Sequence, residues 1–212
     1  MSEVRFEVLD ASAEPYAAVP TMRFRLALEA PPEESIRSIA LRCQIRIEPQ
    51  RRHYSARQEA TLNELFGAGQ RWGETLKPFL WTHVSAMVPG FSGRTEIDLH
   101  VPCTYDFEVA AAKYLHALDE GEIPLLFLFS GTVFAAGAAG LQVTQVSWDR
   151  ESRLRLPART WHDVMDLYFP NEGWLRLRRD TLSRLLRYKA SAALATWEEV
   201  MDTLLAGKVE AA

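Results

Sequence analysis

The chain has 212 residues, a hydrophobic fraction of 48%, a charged fraction of 25% and a formal net charge of −4. This is the composition of a soluble globular protein with enough chain for a large core, and it excludes a disordered or low-complexity one. The acidic balance argues against a general nucleic-acid binder, and the longest apolar run, residues 123–129, is far too short to span a bilayer. The amino terminus, MSEVRFEVLD, is mixed in charge and has no signal-peptide core, so a cytoplasmic location without membrane insertion is expected. The two cysteines, Cys43 and Cys103, are expected as buried thiols, since a cytosolic chain gains little from a disulfide.

The amino-terminal half reads as antiparallel sheet. Residues 4–8, 22–28 and 39–47 alternate apolar and polar side chains, so one face packs on a core and the other meets water. Cys43 is in phase with Leu41, Ile45 and Ile47 and belongs to the buried face. Residues 48–77 form a polar, helix-prone excursion in which Ser55 caps a segment ending at Phe66. Strands resume over residues 80–88 and 95–101, separated by the turn Pro89-Gly90-Phe91-Ser92-Gly93.

A central helix is predicted over 104–120. Phe107, Ala110, Ala111, Tyr114, Leu115 and Leu118 make one apolar stripe, and Asp106 and Glu108 suit the positive end of its dipole. Residues 124–134 are almost wholly apolar and read as a strand covered on both faces, with 141–148 as its hairpin partner. The last third reads as helical. Trp161, Val164, Met165 and Tyr168 form one stripe, a second helix starts at Asp180, and a third opens on a Thr196–Glu199 capping box.

Several residues invite a chemical reading. His100 and Cys103 make an H-x-x-C pair near His83, but His100 is out of phase with Cys103 and no second such pair exists, so no metal is expected. Ser130 lacks the G-x-S-x-G elbow of a nucleophile. No phosphate-cradling glycine loop occurs, and no cofactor is implied. A thiol before a helix can be activated by the helix amides, so His83, Cys103, Tyr105 and Asp106 form a candidate pocket at the helix entrance. The competing reading is a packed cysteine beside helix-capping acids. Residues 150–189 hold ten Lys/Arg against five Asp/Glu. Within them Trp174, Arg176, Arg178 and Arg179 are candidate protein-binding residues, an aromatic anchor rimmed by cations; the competing reading is a solvated helix face.

The run CTYDFEVAAAKYLHALDEGEIPLLFLFSGTVF, with YFPNEGWLRLRRDTL and TWEEVMDTLL later, resembles a bacterial domain-of-unknown-function family over nearly the whole chain. Members of that family tend to be encoded among genes for [NiFe]-hydrogenases and their accessory proteins. The resemblance therefore implies a part in hydrogenase assembly or maturation, with a hydrogenase subunit or maturation factor as partner, and it carries over no catalytic residue. Residues 21–134 also resemble the SecB export chaperone, through antiparallel strands, a cysteine–proline element and a helix rich in alanine and aromatics. Pro102-Cys103 reverses the usual order of that element, and the apolar segment leads into a hairpin instead of a second helix.

The expected fold is α+β: an antiparallel sheet with one central amphipathic helix over residues 1–150, and a helical carboxy-terminal segment packed on it over 151–212. The expected function is that of a non-enzymatic accessory or chaperone-like protein that binds another polypeptide; homo-oligomerisation is compatible with it. The alternatives are a small-ligand protein or enzyme with the pocket named above, and a structural subunit of a larger assembly.

Overall fold

The computed structural model describes residues 3–104, 106, 109–137, 140–170, 172 and 175–209. In chain order its principal elements are β1 (Arg5–Ala13), β2 (Thr21–Glu29), β3 (Ile36–Ile47), α1 (Ala56–Phe66), α2 (Trp72–Thr75), β4 (Phe79–Val88), β5 (Arg94–Pro102), α3 (Ala110–His116), β6 (Glu122–Gly137), β7 (Gly140–Gln145), β8 (Glu151–Pro157), α4 (Ala158–Tyr168), α5 (Arg179–Ser191) and α6 (Trp197–Val209). The architecture is α+β with antiparallel strands and a helical carboxy-terminal part. The chain divides into two compact units, Met1–Gly173 and Trp174–Ala212. No described helix is long and apolar enough to cross a membrane.

In the first unit the strands form two antiparallel sheets, one in the order β1-β2-β5 and the other in the order β4-β3-β6. The long strand β6 then takes two partners along its remaining edge. β8 pairs with its residues 122–128 and β7 with its residues 132–137. The chain crosses between sheets after β2, β4 and β5, which is the Greek-key connectivity of an immunoglobulin-like sandwich.

Period-two patterning places the core between the sheets. Phe6, Val8, Met22, Phe24, Leu26 and Leu28 of one sheet are buried against Leu41, Cys43, Ile45, Phe127 and Phe129 of the other. Phe6 stacks on Phe129 with ring centroids 4.7 Å apart, and Phe24 meets Phe127 edge-on at 5.2 Å. Full burial of each such side chain contributes about 1.5–3 kcal/mol, so this row of rings and aliphatics dominates the unit's stability.

Helices close the sandwich. α1 begins at a complete capping box, in which the Gln58 amide donates to Ser55 Oγ and the Ser55 amide donates to Gln58 Oε1. α4 buries Trp161, Val164 and Met165, and Trp161 meets Trp81 of β4 edge-on at 6.5 Å. The central helix is shorter than its stripe predicts. α3 spans Ala110–His116 because Val109 is extended, at φ −82° and ψ 123°, and offers no side-chain cap. Asp106 precedes the helix, its amide held by Thr104 Oγ1. Ala111, Tyr114, Leu115 and Leu118 are buried, Ala110 is exposed, and Phe107 and Glu108 lie outside the described residues, so the stripe marks packing beyond the helical span.

The boundary expected at residue 150 also shifts. Glu151–Pro157 is a strand, with Leu154 and Leu156 alternating against arginines, and it pairs with the first half of β6. In the second unit α5 and α6 are joined by a turn in which Ala193 takes φ 53°. Lys189 Nζ donates there to the Leu194 carbonyl at 2.8 Å. The Thr196 box caps α6: the Glu199 amide donates to Thr196 Oγ1 at 3.1 Å, and the Thr196 amide donates to Glu199 Oε2.

Candidate functional site

The helix-entrance residues do not assemble around one space. Cys103 follows β5 and is buried, its amide donating to the Pro20 carbonyl at 2.7 Å and its thiol to the Val101 carbonyl at 3.4 Å. Burial pushes that thiol up to about 12, and the same cause does so for Cys43 on the inner face of β3. An unionised, enclosed thiol is a poor nucleophile. His83 lies exposed on β4, in register with Gln44, and so sits on the outer face of the other sheet. Asp106 is half-buried near Cys103 in sequence, whereas Tyr105 falls outside the described residues. His100 also points outward, with Nε2 3.5 Å from Glu14 Oε2. Among the described residues no three His, Cys, Asp or Glu side chains gather as a metal would need.

The basic tract divides similarly. Arg176, Arg178 and Arg179 are exposed, and Arg178 pairs with Asp180 at 2.8 Å, while Trp174 lies outside the described residues.

A different surface stands out, on the outer face of the second sheet. Directly paired residues in antiparallel strands share a face. Met87, Ala40, Thr132 and Gln145 therefore form one row across β4, β3, β6 and β7. The next positions pair Phe134 with Val143 and Ala136 with Leu141. Met87, Leu141 and Val143 are 66%, 65% and 54% exposed, where a half-buried sheet normally presents polar side chains to water. A groove of about 640 Å³ on this face is lined by Ala40, Arg42, Ser85, Met87, Gly131 and Gln145 among others. Gly131 forms part of that lining. Its φ is +146°, and a Cβ there would collide with the Ala40 carbonyl oxygen. Ser130 beside it donates its hydroxyl to the Arg42 carbonyl at 3.5 Å. Among the described residues β7 pairs only with β6, which leaves its outer edge as a row of backbone donors and acceptors.

The sequence profile of a family of unknown function, DUF6084, matches residues 1–212. The chain belongs to this family. No curated protein matches the DUF6084 chain in sequence. Among solved structures it is similar to a CARDB domain from Pyrococcus furiosus, at 7% identity and a TM-score of 0.27, covering 74% of this chain and 87% of that one. It is also similar to a putative late embryogenesis abundant protein, at 13% identity and a TM-score of 0.30, covering 73% of this chain and 71% of that one. A β-glucosidase from Kluyveromyces marxianus matches at 6% identity and a TM-score of 0.27, covering 74% of this chain and 15% of the enzyme. With TM-scores this low, none of the three supports an argument about fold or function.

The DUF6084 chain also carries a polar network that no sequence pattern announces. Arg52 donates through Nη2 to Gln58 Oε1 and to the Glu120 carbonyl, each at 3.2 Å, and lies over the Tyr54 ring at 5.0 Å. Gln58 in turn donates to Asp119 Oδ1 at 3.3 Å, and this bond leads the causes that hold the Asp119 carboxyl below its usual range. His162 donates Nε2–H to the Leu118 carbonyl at 2.8 Å. Burial, and then the neighbouring His162, lower the basicity of His116. These bonds tie α1 and α4 to the turn after α3. Gly121, at φ +79°, follows that turn, and a Cβ on it would sit 3.3 Å from Arg52 Nη2. The network has the character of a clamp between elements. Arg52 and Gln58 lie in the polar excursion, where no hydrophobic period marks them.

Proposed function

We propose that this DUF6084 chain is a non-enzymatic, chaperone-like accessory protein that holds an extended segment of another polypeptide on the outer face of its second sheet. The observation that carries the reading is the exposed pair Leu141 and Val143 on β7, beside the unpaired edge of that strand, with Met87 exposed on the same face at the far side of the sheet on β4. A client strand added to that edge would satisfy main-chain donors and acceptors, and its alternate side chains would pack beside Leu141 and Val143. Apolar area removed from water contributes about 25 cal/mol per Å², less the cost of ordering the segment. Arg42 on the same face favours a client with acidic residues flanking its apolar ones.

The family resemblance points to an unassembled hydrogenase subunit or a maturation factor as the client. The buried thiols and the separation of His83 from Cys103 support a binding role over an enzymatic one. Affinity capture from the native host, read by mass spectrometry, tests the reading with the native chain and a Leu141→Glu/Val143→Glu variant in parallel. Recovery of a hydrogenase subunit or maturation factor by the native chain and its loss with the variant is the expected outcome. Equal recovery by both would place the contact elsewhere, and recovery of neither class of protein would remove the hydrogenase assignment.

A further inference from the structure

Residues Trp174–Ala212 form a unit of their own, whose described helices are α5 and α6. α5 is 13 residues long and buries none of them. Its leucines at i and i+4, Leu182 and Leu186, are exposed, the latter at 50%. Leu205 of α6 is 66% exposed, and Trp197 and Leu204 are exposed as well. A unit of fewer than about 40 residues rarely closes a core by itself, and single helices of this length are marginal unless an apolar face is packed. Pairing two such hairpins gives a four-helix bundle in which all of these stripes can be covered.

Charge selects the occupant. α5 carries Arg179, Arg184, Arg187 and Lys189 against Asp180, whereas α6 carries Glu198, Glu199 and Asp202. The placement follows the helical repeat. Arg179 lies three residues before Leu182 on the same side of α5, and Arg187, one residue after Leu186 and about 100° further round, borders the stripe at its margin. Glu198 and Asp202 lie seven and three residues before Leu205, on the same side of α6. One helix therefore rims its apolar stripe with cations and the other with anions. A second copy of the chain offers both complements at once, α5 against α6 twice about a two-fold axis.

We propose that two copies of this chain associate through their α5–α6 hairpins, with Leu182, Leu186 and Leu205 at the centre and Arg179 and Arg187 of one copy facing Glu198 and Asp202 of the other. This contact uses other residues than those of β7, so either proposal can fail without the other.

Sedimentation equilibrium of the full chain over a range of concentrations tests it. The native chain is expected to dimerise reversibly. Arg179→Glu/Arg187→Glu and Glu198→Lys/Asp202→Lys variants are each expected to dissociate at least about tenfold more readily. Mixing these two variants restores a heterodimer, because each then meets its opposite charge. Leu186→Glu/Leu205→Glu remains monomeric, with an unchanged circular dichroism spectrum and no rescue on mixing. A native chain that stays monomeric at every concentration overturns the proposal. So does a dimer indifferent to these substitutions, or a mixture of the charge variants that fails to associate.

Discussion

The Tyr114 hydroxyl donates to Tyr54 Oη at 2.8 Å, because the Tyr54 proton is committed to the Pro49 carbonyl at 2.7 Å. This relay runs from α3 to the segment before α1 through a cluster of rings that includes Phe66, Trp72 and Phe79. Tyr114 is fully buried, so its hydroxyl has no water to fall back on. Tyr54→Phe strands that donor and the Pro49 carbonyl together, and is expected to cost about 1–3 kcal/mol. Tyr114→Phe leaves the Tyr54–Pro49 bond intact and is expected to cost about 1 kcal/mol. Urea denaturation of both variants checks the order.

Three buried acids make the fold sensitive to alkali. Burial raises the Cys43 and Cys103 thiols to about 12 and moves the Tyr114 phenol higher still. Each group is neutral when folded and ionises more readily when unfolded, so its contribution is complete below its unfolded pKa and is lost as pH rises. For the thiols the loss begins at about 8.5 and continues toward the folded value. Thermal midpoints measured from pH 7 to 11 should therefore be level at first and then fall. DTNB should find no reactive thiol in the native chain and both cysteines after denaturation.

Gly131 occupies a backbone position that a side chain cannot share. Gly131→Ala combines a strained φ with a collision against the Ala40 carbonyl in the neighbouring strand. The expected loss is about 3 kcal/mol or more, seen as an earlier denaturant midpoint. Gly67→Ala, also at positive φ but with open space around it, should cost less.

Strand alternation over residues 22–28 and 39–47 carried most of the sheet, and Cys43 is buried as its phase requires. The Ser55 and Thr196 caps were equally legible, since capping chemistry is local. The pairing of strands was not. One-sided burial looks the same in sequence whether the covering layer is a helix or a second sheet, so the division into two facing sheets had no signature. That division separates His83 from Cys103. The helix starts only after the extended Val109, later than expected, because a continuous stripe records burial and not backbone shape. The alternation of Leu154 and Leu156 in β8 was visible, but it opens a last third whose remaining stripes are helical, and it was absorbed into that segment. Leu141 and Val143 alternate as any hairpin strand does, and only their exposure among the described residues makes them a candidate surface.

Site-specific photocrosslinking in the native host tests the binding surface most directly. A photoreactive residue placed at Val143, beside the unpaired edge of β7, is compared with one at Glu96, exposed on β5 in the other sheet. The account predicts a discrete adduct with one polypeptide from position 143 and none from position 96. Adducts from position 96 alone, or an equal pattern from both, would contradict it.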